Sequence, residues 1–78
     1  MRTFHLTVAR VGENLFDGEA VSVTVPGKDG VFQILAGHEA LVSELRAGAV
    51  QVKTADEQMH RFDVPQGGIA EISQGQAT

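Results

Sequence analysis

Residues 21–35, which read VSVTVPGKDGVFQIL, decide the fold of this protein. Three valines at every second position alternate with a serine and a threonine, which is the pattern of a strand with one buried face. Two turn signals, a Pro-Gly pair and an Asp-Gly pair, follow on either side of Lys28. The alternation resumes after the turn with a phenylalanine and an isoleucine. The stretch therefore predicts a β-hairpin with Lys28 at its tip.

The same two-residue period recurs at residues 4–8 and 50–52, and turn signals separate the apolar stretches at short intervals. Residues 38–46 fit both a helical turn and a strand, and we favour the strand. This spacing predicts an all-β fold, a small antiparallel β-sandwich (flattened barrel) that forms one domain over residues 1–78. The predicted core comprises Phe4, Leu6, Val8, Phe16, Val21, Val23, Val25, Phe32, Ile34, Leu45, Val50, Val52 and Phe62.

Pro65 conflicts with its surroundings. It follows Phe62 and Val64 in a stretch that reads as a strand, yet proline has no amide hydrogen for the ladder. Residues 62–65 are therefore predicted to lie at a sheet edge or a bulge.

The composition restricts the function classes. Ten acidic and six basic residues give a net charge of −4 without a polybasic run, which argues against a nucleic-acid or anionic-membrane surface. With no cysteine, disulfides and thiolate metal sites are impossible. No stretch approaches the roughly 20 apolar residues of a membrane span, and the N-terminus lacks the apolar run of a signal peptide. We expect a soluble protein on the cytoplasmic side, with either a protein partner or none.

Two apparent catalytic or nucleotide-binding motifs lack required residues. The sequence HEALV at 38–42 begins like the metalloprotease signature His-Glu-x-x-His, but Val42 stands where the second histidine should be. The Gly-Lys pair of the hairpin lacks the other residues of a phosphate-binding loop. A metal site built from His5, His38 and His60 is left open, since distant residues can meet in a sandwich, although exposed or interface histidines are the ordinary alternative. We predict no catalytic residue, no metal and no cofactor.

Lys28 supports an alternative function. Lipoyl and biotinyl carrier domains are small sandwiches that display a lysine on a tight turn. Here Lys28 is flanked by Gly27 and Asp29 instead of the residues typical of those families. An ordinary turn lysine that keeps the chain soluble is the simpler explanation.

Two stretches, LFDGEAVSVTVPGKDGVFQILAGHEALVSELRAG (15–48) and QGGIAEI (66–72), together resemble the epsilon subunit of the rotary F-type ATP synthase. The family pattern has a Leu-Phe-x-Gly turn, a strand ending in Pro-Gly, a short acidic hairpin, an apolar strand, a Pro-Gly-His-Ala-Pro-Leu-Leu segment and a Gly-Gly-x-x-Glu-Val strand. The matching residues are Leu15, Phe16, Gly18, Pro26, Gly27, Gly30, Ile34, Gly37, His38, Leu41, Leu45, Gly48, Gly67, Gly68 and Glu71.

The resemblance implies a non-catalytic subunit of a proton- or sodium-translocating ATP synthase. Such a subunit belongs to the central rotor stalk, binds the gamma subunit and the membrane ring of c subunits, and couples ion translocation to ATP synthesis. It is expected peripherally at the cytoplasmic face of the cell inner membrane, or on the stromal side of the thylakoid if plastid-encoded. The residues expected to face the c ring are Gly27, Lys28, Asp29, Gly30 and Val31. Those expected near gamma are Leu15, Phe16, Gly37, His38, Ala40 and Val42.

The sequence departs from the family pattern at several positions. Alanines replace two prolines around His38, Glu39 adds a charge where alanine is usual, and Val31 stands where many members have an acidic residue. Asp29 is then the only carboxylate that the hairpin offers to a basic loop of the ring. Family members usually continue into a C-terminal helical hairpin that inhibits ATP hydrolysis and, in some bacteria, binds ATP. With that helical domain absent, we expect neither inhibition nor nucleotide binding by this chain.

Overall fold

The computed structural model describes residues 2–37 and 40–73, and these residues form eight β-strands and no helix. The strands are β1 (Phe4–Arg10), β2 (Glu13–Ala20), β3 (Ser22–Gly27), β4 (Gly30–Leu35), β5 (Leu41–Leu45), β6 (Gly48–Lys53), β7 (Met59–Val64) and β8 (Gly68–Ser73). The predicted all-β fold is confirmed. Within the described residues there is no helical segment of the length and apolar character that a membrane span requires.

The strands form two antiparallel layers. One layer has the order β2-β1-β8-β5, and the other has the order β4-β3-β6-β7. The layers are joined where Gly27 of β3 pairs with Leu45 of β5, next to a hydrogen bond of 2.8 Å from the Arg46 amide to the Pro26 carbonyl. The two layers therefore share a corner at the contact between β3 and β5, as in a sandwich whose sheets are joined at one side.

The core lies between the layers. It is filled by the alternate residues of each strand whose side chains face the other layer. Its buried members are Phe4, Leu6, Val8, Ala20, Val23, Val25, Ile34, Leu45, Val50, Val52, Val64, Ala70 and Ile72. Ala20, Val64, Ala70 and Ile72 were not predicted. The prediction was wrong for Phe32, which is 38% exposed near the hairpin tip, and for Val21, which is only half-buried between β2 and β3.

The outer edges of β2 and β7 meet in a seam of aromatic rings. The Phe16 ring centroid lies 5.9 Å from that of Phe62 and 6.1 Å from that of His60. Leu15 sits at a bulge, because Val8 pairs with Phe16 whereas Ala9 pairs with Asn14. Phe16 and Phe62 are half-buried in this seam and cover the core from the side. The prediction that both are core residues was wrong.

Two local predictions are confirmed. The ambiguous stretch 38–46 contains strand β5 over its described part, with the Leu41 and Leu45 side chains turned toward the core. β7 lies at the end of the strand order, and Pro65 follows it outside the ladder, in an isolated bridge with Gly67. The proline thus ends an edge strand, where its missing amide hydrogen has least effect.

The antiparallel register gathers several tight turns at one end of the sandwich, which we call the hairpin end. The β1–β2 turn, the Lys28-Asp29 tip, the β5–β6 connection and residues 65–67 all lie there. The β4–β5 connection and the β6–β7 turn lie at the opposite end.

Candidate interaction surfaces

The hairpin of β3 and β4 is built around a close contact between Gly27 and Phe32. A side-chain carbon added to Gly27 would overlap the Phe32 ring, so a larger residue fits at this position only if the ring moves. The phenylalanine in turn covers the base of the tip, while Lys28, Asp29 and Val31 project into solvent. The hairpin therefore presents one cation, one carboxylate and one apolar side chain, Val31, that is 73% exposed.

An open groove of about 610 Å³ runs along the outer face of the first layer beside the hairpin end, and we call it the Val42 groove. Its apolar lining comes from three strands or turns: Val11 is fully exposed, Val42 is 67% exposed and Ile69 is 50% exposed. Arg10 and Glu44 supply charges at its rim. An apolar floor with a polar rim is the composition of a protein-binding surface.

A second groove links the Val42 groove to the hairpin. Val42 and Glu44 of β5 line one side of it, and Lys28, Asp29 and Val31 line the other. Val42 contributes to both grooves. The hairpin and the Val42 groove consequently form one continuous surface at the hairpin end.

The outer face of the first layer is acidic. Asp17, Glu19, Glu44 and Glu71 all project from it, because they alternate with buried residues in β2, β5 and β8. His5 lies among them, with Nε2 2.7 Å from Asp17 Oδ1 and Nδ1 3.6 Å from Glu19 Oε2. A partner that covers this face has to supply basic groups beside an apolar contact.

The only pKa shift resolved among the described residues lies away from these grooves. In the β6–β7 turn, a hydrogen bond from the Thr54 hydroxyl lowers the pKa of Asp56 below its ordinary value of 3.8. The Gln58 amide also donates to Asp56 Oδ1, at 3.3 Å. Asp56 is solvent-exposed, and its contacts fit a turn-stabilising side chain.

The residues predicted to lie near gamma do not form one cluster. Leu15 and Phe16 are on β2, whereas Val42 is on β5 at the other edge of the same layer, about 14 Å away by strand spacing. Gly37 and Ala40 are in the connection at the end opposite the hairpin, and Gly37 lies next to the Arg2 guanidinium. His38 lies outside the described residues. Of these candidates, Val42 is the one in the groove.

Val11 and Ile69 were not proposed from the sequence. Val11 occupies a turn, where an apolar side chain is unusual. This feature of the sequence could have indicated an interaction residue. Ile69 lies between Gly68 and Ala70 in a stretch apolar on both faces, so its outward direction depends on the strand register. The register pairs it with Ala9 and with Glu44.

The histidines in the described part of the chain have separate surroundings. His5 is bound to carboxylates on the outer face of the first layer, whereas His60 stacks on Phe62 in the seam at 6.5 Å. Within residues 2–37 and 40–73, no group of three or more potential ligands is arranged to hold a metal ion.

Comparison with known proteins identifies the family. Residues 3–78 match the model of the β-sandwich domain of the ATP synthase delta/epsilon chain. This chain belongs to that family. It is 41% identical over 78 residues to the ATP synthase epsilon chain of Bordetella avium, and spans 55% of that protein. It is 36% identical over 76 residues to the epsilon chain of Chlorobium limicola, of which it spans 85%.

The chain thus spans about half the length of Bordetella relatives and most of the Chlorobium one. The family assignment agrees with the two-layered fold. Lys28 does lie exposed at a hairpin tip, as the carrier alternative requires, but the match to an ATP synthase domain over nearly the whole chain favours the epsilon assignment.

Proposed function

We propose that this domain is a non-catalytic part of the rotor of an ATP synthase, in which it binds the gamma subunit through the Val42 groove and the ring of c subunits through the tip of the β3–β4 hairpin. The observation that carries the proposal is the continuity of these two surfaces at the hairpin end. Two exposed side chains of β5, Val42 and Glu44, line both grooves. One domain can therefore touch two neighbouring partners at once.

The chemistry of the groove defines the surface required of gamma. The apolar contact has to cover Val11, Val42 and Ile69, and basic side chains have to approach Glu44 and Glu71 on the same face. Buried apolar side chains near the centre of an interface carry most of its binding energy, while charges at the rim influence orientation and association rate. We assign this central position to Val42, because it lines both grooves.

Assembly with these partners would hold the domain at the membrane surface without inserting it. In a bacterium, this places it at the cytoplasmic face of the inner membrane, and in a plastid at the stromal side of the thylakoid. Proton or sodium translocation would be carried out by the ring, and the domain would help transmit rotation between the ring and gamma.

The test is a titration of the chain with its genome-matched gamma subunit. Val42→Asp introduces a charge into the apolar floor, and we expect its affinity for gamma to fall by about tenfold or more. Met59→Asp is the matched control, because Met59 is a similarly exposed apolar residue, 64% against 67%, on the other layer. Its affinity for gamma should equal that of the wild type.

Met59→Asp should keep the wild-type unfolding midpoint because the side chain is exposed, and Val42→Asp should lower it only slightly, because the new carboxylate is exposed but lies opposite Glu71. Equal gamma affinities for Val42→Asp and the wild type would remove the groove from the interface. Failure of the folded wild-type chain to bind gamma at all would reject the gamma part of the proposal.

A further inference from the structure

The outer edge of β4 is unpaired within the described residues and carries no charged side chain. β4 pairs only with β3 there, and its sequence is GVFQIL. The other edge strands do carry charges: β2 has Glu13, Asp17 and Glu19, and β7 has Arg61 and Asp63. Charges on an edge strand normally prevent pairing with another chain. β4 lacks that protection.

The backbone groups that face this edge can be deduced from the hairpin. The Pro26 carbonyl accepts from the Arg46 amide on the far side of β3, so Pro26 exchanges no hydrogen bonds with β4. In an antiparallel ladder the bonded pairs alternate, which makes Val25–Phe32 and Val23–Ile34 the bonded pairs. The amides and carbonyls of residues 31, 33 and 35 therefore point to the open edge.

We propose that β4 pairs with β4 of a second copy of this chain, antiparallel and with a two-fold axis at Gln33. In this register the residues that face the open edge meet each other: Gln33 lies opposite Gln33, and Val31 lies opposite Leu35 of the other copy. Val31 and Leu35 are 73% and 55% exposed, and both lie on the outer face of the strand. Each dimer contains two such apolar cross-strand contacts.

A second copy fits this edge because the strand is nearly symmetric about Gln33 in polarity. Apolar residues flank a central polar one, so the two-fold register pairs apolar with apolar and places no like charges opposite each other. The same operation on β2 or β7 would bring several charges of the two copies together. A single strand pair is a small contact, and we expect dissociation constants between about 10 µM and 1 mM.

Sedimentation equilibrium over that concentration range tests the proposal. The wild-type mass should rise from 8.3 kDa toward twice that value. Gln33→Glu puts two carboxylates opposite each other at the axis, and we expect it to weaken the dimer at least tenfold. Gln51→Glu is the matched control, because Gln51 is exposed in the same cross-strand row on an interior strand, beside Arg61. It should associate like the wild type.

Amide hydrogen exchange locates the contact. The amides of Val31, Gln33 and Leu35 should exchange more slowly as concentration rises, whereas those of Phe32 and Ile34, which already bond to β3, should change little. A wild-type mass of 8.3 kDa up to about 1 mM would overturn the proposal. The proposal would also be overturned if the folded Gln33→Glu and Gln51→Glu variants associated equally, or if both failed to associate. In either case the contact would not depend on the β4 edge.

Discussion

The Phe16 ring of β2 lies 5.9 Å from the Phe62 ring of β7, at an interplanar angle of 54°, although these strands share no hydrogen bonds in the ladder. This tilted pair, extended by His60, closes the side of the sandwich where the strand order ends. Arg10 adds a long hydrogen bond of 3.4 Å to the Asp63 carbonyl across the same seam. Side-chain packing thus completes the closure that backbone pairing leaves open.

Removal of either ring should open the seam. We expect Phe62→Ala to lower the free energy of unfolding by about 2 to 3 kcal/mol and Phe16→Ala by about 2 kcal/mol, somewhat less than for fully buried rings. The double variant should lose less than the sum, by about 0.5 to 1.5 kcal/mol, since the rings contact each other. Chemical denaturation measures all three. Val11→Ala, at a fully exposed position, should change stability by less than about 0.5 kcal/mol. Strict additivity would show that the pair is not coupled.

Gly27 should not tolerate a side chain while Phe32 is present. Gly27→Ala forces a methyl group into the ring, and we expect a loss of about 1 to 3 kcal/mol in the free energy of unfolding. Gly18→Ala is the control, because an added carbon there meets the Phe16 ring at an ordinary 3.6 Å. It should be close to neutral. Combining Gly27→Ala with Phe32→Ala should cost less than the sum of the single changes, and an additive result would contradict the overlap.

The charge at the hairpin tip should matter for binding to the ring. Asp29 is the one carboxylate among residues 27–31, and Asp29→Lys reverses it. We expect this change to weaken binding to a purified c ring severalfold at low salt, with a smaller effect at high salt because the charges are exposed. Glu57→Lys makes the same reversal in the β6–β7 turn at the opposite end and should have no effect. Equal binding of Asp29→Lys and wild type would show that this carboxylate has no role in docking.

The lowered pKa of Asp56 predicts a pH effect on stability. The hydrogen bond from Thr54 holds the pKa of folded Asp56 below 3.8, so this contact stabilises the fold above that pH and is lost as the pH falls through the folded value. Thr54→Val should return the pKa of Asp56 toward 3.8 in an NMR titration of the carboxyl carbon. Thr7→Val, on the outer face of β1, should leave it unchanged. An unaltered Asp56 titration in Thr54→Val would assign the shift to another contact.

Much of the fold follows from local sequence. The period-2 alternation and the Pro-Gly and Asp-Gly turn signals suffice for the β3–β4 hairpin, and the proline at 65 correctly marks the end of an edge strand. The ordered residues from Leu15 to Glu71 also indicate the family, which the family match confirms. The turns and strands can be predicted from the sequence because each depends on residues that are close in the chain. Backbone preferences and the alternation of side chains determine local structure directly.

The interaction surface depends on contacts that the sequence does not specify. Val11, Val42 and Ile69 line one groove only because β1, β8 and β5 are neighbours, and local alternation fixes neither that order nor the register of the pairs. Phe16 and Phe62 were predicted to be interior residues, yet they cover a seam between two edge strands. The sequence alone determined which residues are apolar and where the chain turns. The tertiary structure decided which of them meet, because pairing between distant strands depends on the packing of the whole sandwich.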